Sequence, residues 1–113
     1  MNNSKTQSKI IGWRNVTSTA IASNLQTYCT LLVNEELRIA KLRYHRENLA
    51  IPKDGTTSAL QIDSNYRPYA NYTIIYSYAV KMSLMSDTGN INFENETSTT
   101  QTVTINREWI YSY

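Results

Sequence analysis

Few side chains in this chain have the type and spacing to do chemistry. Lys41, Arg43 and His45 fall on alternate positions of LRIAKLRYHR, with Arg38 and Arg46 beside them. On a strand, that spacing puts all three on one face. Two readings stand: a solvated basic face, or a site for an anionic polymer such as a phosphate-bearing cell-wall glycan, where arginine gives directional charge-assisted bonds. Trp13 is either a core anchor or a sugar-stacking platform. Tyr66, Tyr69 and Tyr72 surround Arg67-Pro68 and read as corner packing or as a contact surface, since tyrosine buries area at low entropic cost.

Catalytic and metal chemistry find little to work with. His45 is the only histidine and Cys29 the only cysteine, so a histidine-dependent triad, a histidine or cysteine metal cage and an intrachain disulfide have no partner set. In TYCTLLV, Cys29 reads as a small buried hydrophobe. Glu35-Glu36 sits in a turn signal and Asp63 precedes another, as ordinary loop acids do. The three glycines are dispersed and make no phosphate loop. The expectation is a non-enzyme with no cofactor and no metal.

Composition bounds the rest. At 113 residues the chain is one domain, and nine tyrosines, two tryptophans and abundant Thr, Ile and Val favour strands. A net charge of +2 is too mild for a nucleic-acid binder. A small barrel stacking single strands on its aromatics would fit the tyrosines but not the charge. No apolar run is long enough to span a bilayer, and MNNSKTQSK lacks a signal-peptide core. Synthesis in a cytoplasm without membrane insertion is expected. The sequons at Asn2, Asn15, Asn71 and Asn95 are then read as unmodified.

The elements that must position these side chains are strands. Ile74, Tyr76, Tyr78, Val80, Met82 and Leu84 alternate with Thr73, Ser77, Lys81 and Ser83, which predicts one long strand with a buried and a wet face. Asp87-Thr88-Gly89-Asn90 supplies a turn with Gly89 free to take positive φ, and Ile91-Asn92-Phe93 begins a return strand. Val103, Ile105, Trp109, Tyr111 and Tyr113 predict a second long strand, with Trp109 in the core. Residues 10–13 form a first strand or edge segment, and Val16 to Gln26 is ambiguous between loop, strand and short helix. Residues 27–44 read equally as a hairpin turning at Asn34-Glu35-Glu36 or as a helix capped by Asn34. His45 to Ser58 is expected to be a loop around a short Leu49-Ala50-Ile51 strand, and Leu60 with Ile62 another strand. Glu94 to Gln101 is a polar loop. The sum is an all-β, antiparallel, jelly-roll-like sandwich over 10–113, preceded by a flexible polar tail, 1–9, that could serve as a docking arm.

Gly12-Trp13, VNEELRIAKLRY, the Ile62-Asp63-Ser64-Asn65-Tyr66-Arg67-Pro68 turn and the Gly89-Asn90-Ile91 hairpin together resemble the small β-sandwich domains at the tips of phage tail fibres and baseplate receptor-binding proteins. The resemblance covers most of 10–113. It implies a virion component, commonly a homotrimer, that touches a host surface polysaccharide or another virion protein, and it makes LRIAKLRY a strand. Such domains usually end a longer fibre with a stalk, whereas only a short tail precedes this one. That suggests an accessory protein docked by its tail, or a separately made tip. The candidate contact residues are then Trp13, Lys41, Arg43, His45, Tyr66, Arg67 and Tyr69. A purely architectural virion role, in capsid decoration or tail completion, is the alternative.

Overall fold

The computed structural model describes residues 12–77 and 79–113. Two four-stranded antiparallel sheets pack face to face, so the expected all-β sandwich is the observed fold. Sheet A has the order β1-β2-β3-β8, from Arg14–Asn15, Cys29–Asn34, Ile39–Ile51 and Gln101–Ser112. Sheet B has the order β4-β7-β6-β5, from Thr56–Ser58, Ile91–Asn95, Val80–Leu84 and Tyr72–Ser77. Among the described residues the other elements are one helical turn, α1 (Thr17–Ala20), and two short 3-10 segments, Ser23–Leu25 and Ser64–Tyr66. No helix among the described residues is long and apolar enough to cross a membrane.

The core follows the period-two pattern. Leu31 and Val33 of β2, Ala40, Leu42 and Tyr44 of β3, and Ile105, Trp109 and Tyr111 of β8 face Met82 and Leu84 of β6 and Ile91 and Phe93 of β7; all are buried. Each large apolar side chain so placed contributes roughly 1.5–3 kcal/mol of transfer free energy. Tyr44 carries a hydroxyl into this interior, and its bond to the Ser58 hydroxyl at 2.9 Å ties sheet A to sheet B while satisfying both groups. Trp109, 2% exposed, is the core anchor its phase predicts.

The ambiguous segment 27–44 is a hairpin, with β2 and β3 paired from Cys29↔Tyr44 to Asn34↔Ile39. Asn34 does act as a cap, but of a turn: its side chain accepts from the Leu37 amide at 3.1 Å, and Arg38 then takes φ +55°. Good helical propensity in Leu-Arg-Ile-Ala-Lys loses to the alternating burial of Ala40, Leu42 and Tyr44 between two partner strands.

Four expectations need correction. The segment after His45 is not mainly loop: β3 runs on to Ile51, because β8 pairs along it from Ile39↔Ser112 to Ile51↔Gln101, with an irregularity between Arg46 and Leu49 where Asn48 has φ +53°. The long alternating strand is two strands. β5 and β6 pair antiparallel, with Ser77↔Val80 and Tyr72↔Leu84 as end pairs. The register shift between Ile75 and Ser77 keeps even-numbered residues opposite even-numbered ones from Tyr72↔Leu84 to Ile74↔Met82, so the alternation stays in phase on both arms. No Gly, Pro or Asn lies in the sequence between the two strands. Leu60 and Ile62 are fully buried but lie outside any strand, since Gln61 at φ +51° breaks the extended run. They plug the sandwich instead, held by Ala22 N–H to Leu60 O at 2.8 Å and Ile62 N–H to Gly89 O at 3.1 Å. Of the segment expected at 10–13, residues 10–11 lie outside the described residues and Gly12 and Trp13 are not in a strand; the first strand among the described residues is Arg14–Asn15.

Gly89 has φ +71°, as its turn requires, and a Cβ there would lie 2.6 Å from Ile62 N and 2.7 Å from Ile62 O. Arg67, before Pro68, is extended at φ −73°, ψ 149°. The tail 1–9 and the inward placement expected of Tyr78 lie outside the described residues.

Candidate functional site

On β3, burial of Ala40, Leu42 and Tyr44 leaves Lys41, Arg43 and His45 on the outer face of sheet A. Pairing then chooses their neighbours. Leu32 and Ile110 flank Lys41, Thr30 and Glu108 flank Arg43, and Asn106 lies opposite His45. Trp13, just ahead of β1, reaches the same face: its ring lies 4.9 Å from the Lys41 ammonium and is 39% exposed. An exposed cation–π contact of this kind is worth about 0.5–1 kcal/mol. Four of the seven candidate residues, Trp13, Lys41, Arg43 and His45, therefore form one surface.

The charges here are held loosely. Arg43 Nε donates to Glu108 Oε2 at 2.7 Å, with the two side chains 62% and 40% exposed. His45 Nε2 lies 3.6 Å from Glu47 Oε2. The Arg46 guanidinium stacks 4.2 Å from the Tyr28 ring centre at the margin. Exposed pairs of this sort contribute up to about 1 kcal/mol and exchange readily for other anions. Beside them runs a shallow hollow of about 600 Å³, lined by Tyr28, Thr30, Arg43, His45, Asn106 and Glu108. A second, of about 660 Å³, opens at Trp13, Arg14, Asn34, Glu35 and Glu36.

Tyr66 sits at the rim. Its hydroxyl accepts from Arg14 Nη2 at 3.0 Å, and Arg14 also grips Glu35 through Nε at 3.2 Å and Nη2 at 2.9 Å. Those bonds, to Glu35 first and Tyr66 next, raise the pKa of the Arg14 guanidinium further. The Tyr66 ring meets Tyr113 edge-on at 5.5 Å, and the Arg38 guanidinium lies 4.6 Å from the Tyr113 ring centre.

The two remaining candidates lie elsewhere. Arg67 donates Nε to Ile62 O and Nη1 to Asp87 O, both at 2.7 Å. It clamps two loops, so its guanidinium is committed to backbone and not to the outer face. Tyr69 is 87% exposed, and its amide donates to Ser112 O at 2.9 Å at the end of β8.

Sequence reasoning missed Arg14, Glu35 as its partner, Asn106 and Glu108. Glu108 is 65 positions from Arg43, and only the β3–β8 register joins them. Burial pushes the Cys29 thiol up to about 11, which suits a packing residue whose Sγ donates to Leu25 O at 3.2 Å. Among the described residues no group of three or more His, Cys, Asp and Glu side chains could hold a metal ion. Comparison with protein-family models, curated proteins and solved structures finds no match for the chain.

Proposed function

We propose that the chain is a non-catalytic binding module, a phage tail, fibre or baseplate tip component that recognises an anionic host-surface glycan across the outer face of sheet A. The observation that carries the reading is the exposed Trp13 indole beside Lys41, in a row with Arg43 and His45 on a face that also carries Thr30, Leu32, Asn106, Glu108 and Ile110. An indole offers a flat platform for the C–H face of a sugar ring. Arg43 offers a charge-assisted bond to a phosphate or carboxylate in exchange for its solvent-screened pair with Glu108. Thr30 and Asn106 supply neutral donors and acceptors.

Tryptophan fluorescence tests it. Trp109 is buried and Trp13 is not, so a titration with a phosphate-bearing bacterial envelope polysaccharide should change Trp13 emission alone. Trp13→Phe should abolish that signal, and Trp13→Ala should abolish binding. A polysaccharide that binds equally well to Trp13→Ala would overturn the proposal. The architectural reading draws on Tyr69 and Ile110, 87% and 55% exposed. It predicts that substituting Tyr69 blocks incorporation into particles while leaving envelope binding unchanged.

A further inference from the structure

Sheet edges present unpaired N–H and C=O groups, and folded proteins blunt them with short strands, charges, proline or covering contacts. Among the described residues, three of the four edges here are blunted. β1 and β4 are two and three residues long. β8 carries Arg107 and Glu108, and its carbonyls are engaged at both ends, Ser112 O by the Tyr69 amide and Thr104 O by the Tyr76 hydroxyl.

β5 is the exception. It is the outermost strand of sheet B, six residues long, and its sequence Tyr-Thr-Ile-Ile-Tyr-Ser has neither charge nor proline. It pairs on one side with β6, and no backbone group of another described element bonds its other side. Alternate amides and carbonyls along it point outward. Ile75 is 63% and Tyr72 41% exposed. A neutral strand rich in β-branched and aromatic residues, with its edge open, is a template for a further strand.

We propose that the β5 edge pairs antiparallel with β5 of a second copy, joining two B sheets into one across a twofold axis. The strand is self-complementary: neutral residues meet neutral residues of equal length, so no like charges oppose, as they would on β8. Continuous faces require partner positions that sum to an even number, because a one-residue slip inverts every side chain. An irregularity between Ile75 and Ser77 confines regular geometry to Tyr72–Ile75. Centring the axis on Ile74 uses that part, setting Ile74 against Ile74 and Thr73 against Ile75. This twofold pair differs from the homotrimer that the fibre-tip resemblance implies.

The test is sedimentation equilibrium on the full chain, with amide hydrogen exchange as second readout. The parent should form a dimer of 13.0 kDa chains, with concentration-dependent protection of the Tyr72–Ser77 amides. Ile75→Lys changes an exposed side chain and brings two ammonium groups near the axis. It should weaken the dimer at least about tenfold and expose those amides, while Ile75→Thr should leave both intact. A parent that stays monomeric or forms a trimer would overturn the proposal. So would an Ile75→Lys dimer as tight as the parent, or protection of β5 that does not vary with concentration, as cover from the chain's own residues 1–11 would give.

Discussion

Arg67→Ala separates a ligand contact from a structural clamp. The guanidinium makes two bonds of 2.7 Å, to Ile62 O and Asp87 O. Bonds to charged donors are worth about 1.5–3 kcal/mol each when desolvated. Ile62 is fully buried, so its carbonyl would lose its charged donor in a dry setting. The Asp87 bond is exposed and adds little. The expected loss is about 3 kcal/mol. With a urea m-value of about 1.5 kcal/mol/M, the denaturation midpoint should fall by about 2 M at unchanged m. The melting temperature should drop by on the order of 10 °C. Arg67→Lys, with one compact charge for two carbonyls, should recover only part of this. Below its transition, Arg67→Ala should bind glycan like the parent. An unchanged midpoint together with lost binding would refute the clamp and return Arg67 to the ligand-binding set.

Gly89→Ala should cost about 3 kcal/mol or more, since φ is +71° and the new Cβ would meet Ile62 N, O and Cβ at 2.6, 2.7 and 2.9 Å; thermal melting checks it, and a near-parental midpoint would contradict the contact. Burial lifts the Cys29 thiol from 9.0 to about 11, and lifts the Tyr111 hydroxyl through burial first and Tyr113 second. Because the unfolded chain releases these protons earlier, stability is full below pH 9 and falls as pH rises from 9 to 11. The thiol accounts for up to about 1.4 kcal/mol per pH unit. Cys29→Ala should flatten the thiol's part of that slope in urea titrations across the range. A double-mutant cycle on Arg43 and Glu108 should give a coupling below about 1 kcal/mol that shrinks with added salt; a larger, salt-insensitive value would mean that Glu108 is not exchangeable for a ligand.

What the sequence disclosed was whatever local periodicity controls. The alternation through Val103, Ile105, Trp109 and Tyr111 specified a strand and its buried face, and Gly89 marked the turn between β6 and β7. Segment 27–44 hid its state because Leu-Arg-Ile-Ala-Lys suits a helix, and only strands on both sides of β3 override that preference. The β5–β6 pairing was invisible for a different reason. The sequence between the strands contains no turn residue, and the irregularity between Ile75 and Ser77 keeps the alternation in phase, so one strand and two read alike. At the candidate site, period-two spacing placed Lys41, Arg43 and His45 together correctly. The bonds of Arg67 to Ile62 O and Asp87 O were not legible, because a guanidinium beside tyrosines looks the same in sequence whether it faces a ligand or a pair of carbonyls. Glu108 and Asn106 depend on a register that spans half the chain.

The central claim is that ligand meets the outer face of sheet A, and amide chemical-shift mapping tests it most directly. Titrating the labelled protein with a phosphate-bearing envelope polysaccharide should move resonances from Tyr28 to Leu32, Lys41 to His45 and Asn106 to Ile110, with the Trp13 indole N–H among the largest shifts. Shifts confined to Tyr66–Tyr72, or to the face of sheet B around Thr73, Ser83 and Asn92, would contradict the account.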